Sequence, residues 1–324
     1  MRILIPYAAW LPGAADDLPL PALHHLLSKM ELSRQYLRPE TVFYYFKHEA
    51  DLAALHGLQG ADSGRLALTA LQRQQTGLMP AAGESWGRIS LCQWQIGMND
   101  GQLRAPAQLS VTQEEAQALW QTLTPLLAER GLAMEAYPVL PPYARHVRVT
   151  GLFADLACAR VERVAGLELR DYLPRAQAGT AQAAWQNLLA EVQMQLYQHP
   201  VNHAREARRQ ASLNSIWLDG VGALPAGFAP AQVDIIPDLQ QAAERGDLAA
   251  WRNAWLHMEG ERVPQWQAAL DSGAALELHL CGLGQSAVFI PAERGLAAHV
   301  KRAWQRWRQA EPGVHWPSAL AAPS

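Results

Sequence analysis

The residues best suited to chemistry lie between Glu191 and Gly222 of this 324-residue chain. His199, Pro200, Asn202, His203, Arg205 and Arg208 come first, then Asn214 and the run Ser215-Ile-Trp-Leu-Asp219-Gly220-Val-Gly222. Asn202, Arg205, Arg208 and Asn214 can each orient an anion, and their spacing gathers them where a helix starts and a strand ends. Helix N-termini and paired guanidiniums both favour phosphate or carboxylate. Glycines at 220 and 222 let backbone approach closely. The candidate ligand-binding residues are therefore His199, Asn202, Arg205, Arg208 and Asn214, supported by Glu191, Asp219, Gly220 and Gly222, and the ligand class is a small anionic metabolite.

Each of these residues has a plainer reading beside the chemical one. His199 is a pocket ligand or a satisfied histidine at a helix end. Arg205 clamps an anion or pairs with Glu191, holding two helices together. Asn202 is most simply the cap of a short helix, and Asn214 fixes the loop before its strand. His199 and His203 stand four apart, a metal-like spacing, but Pro200 breaks the helix between them, so no metal is expected there.

The elements that must position this corner can be read from periodicity. Met1–Tyr7 reads as a buried first strand and not as a signal peptide. Leu20–Met30 and Leu66–Gln75 read as helices. Ser85–Leu103 reads as a hairpin about Asn99-Asp100-Gly101, with Ser90, Cys92, Trp94 and Ile96 as its apolar face. Val42–Phe46 fits strand or helix. Thr112 and Glu115 form a capping box opening a helix through Arg130, which Gly131 closes. Strands follow at Ala133–Tyr137 and Arg145–Thr150, with a bend at Pro138–Pro142 between them. In Gly179–Gln198, Trp185, Leu188, Leu189, Val192 and Leu196 repeat at helical spacing. Asn214–Leu218 reads as a strand entering a glycine turn.

Residues 1–222 are expected to form the main α/β domain, 223–231 a linker, 232–311 a smaller α+β part and 312–324 a loose tail. In the C-terminal part, Leu239–Glu244 and Asp247–Met258 read as helices, Ala275–Cys281 and Ala287–Ile290 as a hairpin, and Gly295–Gln309 as a last helix. That helix sets Lys301, Arg302, Arg306 and Arg308 opposite an apolar face with Trp304 and Trp307, the pattern of a core-docked helix with a solvated basic side. It leaves a protein partner open and argues against nucleic acid.

Composition narrows the class. Hydrophobic residues make up 49% and charged ones 18%, enough for a large core, and the net charge of −3 supplies no positive field for nucleic acid or anionic lipid. Three cysteines, Cys92, Cys158 and Cys281, form no CxxC pair and fit a reducing, cytoplasmic compartment. No membrane span is expected. No P-loop, dinucleotide fingerprint or Gly-x-Ser-x-Gly elbow occurs, and no cofactor is expected.

The pattern His199-Pro-Val-Asn202-x-x-Arg205, then Asn214 and a strand ending in Gly-x-Gly, resembles that of archaeal-type cofactor-independent phosphoglycerate mutases. It is still more similar to a bacterial family labelled mutase-like or Rpf-type regulatory proteins, where Glu-x-Gln-Met before His-Pro-Val-Asn and Asn-Ser-x-Trp-Leu after it are usual. Both occur here, at Glu191–Met194 and Asn214–Leu218. The sharp match covers about a tenth of the chain. The resemblance implies an α/β fold (α+β being the alternative), a mixed sheet with packed helices distantly like alkaline phosphatase. Mutases of this type hold two metal ions with an early Asp-Gly and late Asp and His residues. This chain has Ile5-Pro6-Tyr7-Ala8 at the first place, scattered histidines at the second, and Asp219 where the archaeal enzymes carry Arg. The implied protein is mutase-like without the metal core, with a binding or regulatory role. The alternatives are an active mutase or phosphatase, and a protein- or nucleic-acid-interaction module built on the basic C-terminal helix.

Overall fold

The computed structural model describes residues 1–10, 14–15, 17–37, 44–61, 63–96, 101–135, 137, 140–176 and 179–292. The expected helix 295–309, the tail 312–324, residues 42–43, the turn residues 99–100 and residues 138–139 lie outside that set. The chain forms two compact units, 1–40 with 46–52 and 231–324, and 41–45 with 53–230. This corrects the expected division at 222 and 232. The first strand and the C-terminal hairpin share one sheet, so the first unit is discontinuous in sequence.

That first unit contains β1 (Arg2–Ala9), β2 (Met30–Leu37), β8 (Asp234–Ile235), β9 (Glu277–Gly282) and β10 (Gln285–Pro291) in the order β2-β10-β9-β1-β8. β1 runs parallel to β8 and β9, and β10 is antiparallel to β9 and β2. Helices α1 (Pro21–Ser28), α8 (Gln240–Glu244), α9 (Leu248–Glu261) and α10 (Val263–Asp271) belong to the same unit, with the first part of α2 (Lys47–Leu55). Ile3, Ile5, Leu278 and Leu280 pack in one core with Leu23, Leu26, Trp251, Trp255 and Trp266. Asp247 caps α9 by accepting from the Ala250 amide. β2 and α10 were absent from the sequence reading. β2 is an edge strand with a polar, exposed stretch, which hides its period.

The second unit contains β3 (Ser85–Ile96), β4 (Gly101–Arg104), β5 (Leu132–Glu135), β6 (Ala144–Val149) and β7 (Ser215–Ala223), all antiparallel, with β3 bonded to β4, β6 and β7. Its helices are α3 (Leu68–Gln75), α4 (Gln113–Glu129), α5 (Val161–Val164), α6 (Gly179–Tyr197) and α7 (Pro200–Ala207). The capping box forms as expected: Thr112 accepts from the Glu115 amide, and Glu115 from the Thr112 amide. The α6 stripe Trp185, Leu188, Leu189, Val192 and Leu196 is buried against Leu119, Leu123, Ile89 and Leu218. Each such side chain contributes roughly 1.5–3 kcal/mol of transfer energy. The hairpin's expected single apolar face is corrected. Ile89 and Leu91 face the helical core, while Ser90 and Cys92 are buried on the other side. Both faces of this strand are covered.

The joint and the buried ion cluster as candidate functional site

Pro200 ends α6 and, at the first position of α7, starts the next helix, where its missing N–H costs nothing. The cap of α7 is His199 and not Asn202: His199 Nδ1 accepts from the Val201 amide at 3.2 Å. The ring proton is then on Nε2, which lies 3.1 Å from Thr122 Oγ1 and donates to it. Burial pushes the His199 pKa below its ordinary value. His203 is exposed one turn on and does not join it.

Asn202 instead lies inside α7 and is buried. Its Oδ1 accepts from the Leu213 amide at 2.8 Å, and its Nδ2 donates to the Leu196 and Leu213 carbonyls at 2.8 and 3.0 Å. One side chain thus ties the end of α6 to the chain entering β7. Asn214 mimics a strand residue: its amide exchanges two hydrogen bonds with the Trp94 backbone at 2.8 and 2.9 Å.

Arg205 is fully buried. It donates to Glu115 Oε2 at 2.6 Å, to the Leu109 carbonyl at 2.6 Å and to the Ala211 carbonyl at 2.8 Å. Its expected partner, Glu191, pairs with Arg130 instead at 2.5 Å. A pairing of Arg205 across the corner does form, but to the capping-box glutamate of α4, far away in sequence. Arg208 reaches the other oxygen of Glu115 at 2.5 Å with its side chain 55% exposed. The expected gathering of arginines at a helix start is also corrected. Arg205 and Arg208 sit at the C-terminal end of α7, where exposed carbonyls attract cations.

The glycine pair is likewise not a turn after the strand. Gly220 and Gly222 lie within β7, where the pairing with β3 shifts register between Trp86 and Arg88. Gly220 has φ +63°, and a Cβ there would meet Thr69 Oγ1 at 2.7 Å. A Cβ on Gly222 would sit 2.8 Å from Ala67 Cα. The pair lets the start of α3 lie directly on the strand.

Between the glycines and the preceding hydrophobic run, Asp219 is fully buried. Its carboxylate accepts four hydrogen bonds: from Arg88 Nε and Nη2 at 3.1 and 2.8 Å, Arg160 Nη1 at 2.7 Å and the Val161 amide at 3.2 Å. These fill its four lone-pair sites. Arg88 also donates to Glu162 at 2.7 Å. Burial works against the Arg88 charge, but Asp219 and Glu162 outweigh it and hold its pKa well above the usual value. Burial also raises the Glu162 carboxyl, while Arg88 and Arg160 bring it down to about 2. Beside this cluster His146 is fully buried and stacks on Tyr137 at 4.3 Å. Burial, then the charges of Arg73, Arg88 and Arg160, lower its pKa to about 3. None of Arg88, Arg160, Glu162 or His146 was singled out from sequence, and Glu115 was read only as a capping residue. Their only signal is the arginine-rich spelling around Arg160-Val-Glu162-Arg163.

In the first unit the end of β1 is closed by aromatic rings. Tyr7, with φ +55° in a bulge of β1 against β9, packs on Phe46 and His48 at 5.6 and 5.2 Å. The Tyr7 and Ala8 carbonyls accept from Trp251 and Trp255. Nearby, Lys47 and Asp51 form an ion pair one helical turn apart. Burial would raise the Asp51 pKa, but His279, Lys47 and Ser286 bring it down to about 2. Among the described residues no group of three or more His, Cys, Asp or Glu side chains is placed to hold a metal ion. Among them too, no helix is long and apolar enough to cross a membrane.

No family model matches the chain, and no curated protein matches it. Among solved structures it is similar to the cofactor-independent phosphoglycerate mutase from Thermoplasma acidophilum DSM 1728, with 12% identity and a TM-score of 0.38 over 89% of this chain and 88% of that one. It is also similar to the PH0037 protein from Pyrococcus horikoshii, with 9% identity and a TM-score of 0.46 over 90% and 87% of the two chains.

Proposed function

We propose that this chain is a non-catalytic, mutase-like cytoplasmic protein that works by binding, in a regulatory role. The observation that carries the reading is Asp219. Where the resemblance calls for an arginine that would face a phosphate, a carboxylate lies buried between Arg88 and Arg160 with every acceptor site filled. The middle of β7 is closed by an internal ion cluster in which Asp219 and Glu162 take up the Arg88 and Arg160 guanidiniums. At the end of β1, where the resemblance calls for Asp-Gly, the Tyr7, Phe46 and His48 rings occupy the space.

The ligand class in this reading is a phosphorylated or carboxylated metabolite. At the helix–strand corner, Asn202, Arg205 and Asn214 hold protein groups, so the anion meets the exposed side of the joint through Arg208. A thermal-shift series with phosphoglycerate and inorganic phosphate tests it: both should raise the melting temperature of the wild type and fail to do so with Arg208→Ala. Equal shifts in the two proteins would remove Arg208 from the reading. Metal-dependent mutase or phosphatase turnover by the pure protein would overturn the non-catalytic assignment.

A further inference from the structure

Helix α6 has a second face that the joint does not use. Over 19 residues it carries one charged side chain, Glu191, which is paired with Arg130. Gln186, Ala190, Gln193 and Tyr197 follow one another at i, i+4, i+7 and i+11. At 3.6 residues per turn they fall within about 60° of one another. Tyr197 stands out of this stripe with 76% exposure, flanked by Met194 at 76%. Further toward the N-terminus the same stripe forms one wall of a cavity of about 240 Å³, whose other wall includes Trp94, Leu173 and Pro174. The lining contains no ionisable side chain among the described residues. Trp217 braces Trp94 at 6.3 Å, and Phe153 meets Trp185 at the helix wall at 86°, so the cavity has stiff sides.

A protruding aromatic and an apolar cavity on one helical stripe are the two halves of a self-complementary contact. Ala190, at the cavity mouth, and Tyr197 are seven residues apart, about 10 Å along the axis. We infer that α6 pairs antiparallel with α6 of a second copy of this chain, about a twofold axis beside Gln193, so that Tyr197 of each copy fills the cavity of the other. The midpoint of 190 and 197 falls beside Gln193, which sets the axis. A twofold contact of this kind closes on itself and forms a dimer, not a fibre. Depletion of charge with exposed Tyr and Met is the composition of an interface centre. The small side chain of Ala190 lets the helices approach, and the uncharged stripe meets its own copy without repulsion. The inference is independent of the function proposed above.

Sedimentation of the full chain over a concentration series tests the pairing, with a species of twice the 35.7 kDa chain mass expected. Tyr197→Asp and Ala190→Arg change exposed positions, so their circular dichroism spectra should match the wild type. Each should weaken the dimer by at least about 30-fold, the loss typical of an interface anchor. Gln193→Cys should cross-link across the axis with diamide as oxidant, and Gln182→Cys should not. The native cysteines are buried and stay out of the reaction. A chain that remains monomeric, a dimer unchanged by both substitutions, or equal cross-linking at 182 and 193 would overturn the inference.

Discussion

Replacing His146 by phenylalanine should remove a large part of the protein's sensitivity to acid. The ring is fully buried, and its pKa is about 3 in the fold against about 6.5 in an unfolded chain. Between those values the unfolded chain binds a proton that the native protein refuses. Stability from this group is therefore intact above pH 6.5 and falls as pH drops from 6.5 toward 3. Each unit is worth about 1.4 kcal/mol, so lowering the pH from 7 to 5 removes about 2 kcal/mol through His146 alone. Arg73, Arg88 and Arg160 are the cations that make the protonated ring unwelcome, with Tyr137 stacked on its face. His146→Phe keeps an aromatic ring on Tyr137 and has nothing to titrate. Urea unfolding of both proteins at pH 7 and pH 5 gives the difference directly: the wild type should lose about 2 kcal/mol more than the variant. Equal losses, or a His146 ring that titrates near pH 6.5 by NMR in the native protein, would refute the reasoning.

Three further outcomes follow from the joint and the ion cluster. Asp219→Ala should destabilise by about 3–5 kcal/mol, because it leaves Arg88 and Arg160 buried without their shared counterion; denaturant midpoints at neutral pH check this. Arg205→Ala should cost a similar amount, since Glu115 and two backbone carbonyls lose their donors. A melting temperature close to wild type would show that the guanidinium is not structural. Gly222→Ala should destabilise by about 1–3 kcal/mol through collision with the Ala67 backbone, and Ala67→Gly should recover part of that loss. Calorimetry of the single and double variants separates the two.

How much of this was legible in the sequence depends on the range of the interaction. The Trp185–Leu196 stripe and the Thr112–Glu115 cap repeat within one or two helical turns, so both could be read directly, and both form. The cap expected at Asn202 lies three residues earlier, at His199. Pro200 sets the first turn of α7, which makes His199 the cap and leaves Asn202 free to bond Leu213. The partner of Arg205 lies 90 residues away in sequence, and local spacing pointed to Glu191 instead. Asp219 was read from the missing arginine alone, since its counterions come from β3 and from the residue just before α5. The discontinuous first unit was hidden for the same reason. β1 completes its sheet with strands more than 200 residues later, and nothing in Met1–Tyr7 names them.

The most direct measurement of the central claim is turnover by the purified protein, assayed for phosphoglycerate interconversion and phosphate-ester hydrolysis with and without added manganese or magnesium, alongside its bound metal content. The ion cluster at Asp219 and the closed end of β1 predict no turnover above buffer under any of these conditions. Saturable, metal-dependent turnover that is lost when the metal is removed would contradict the account.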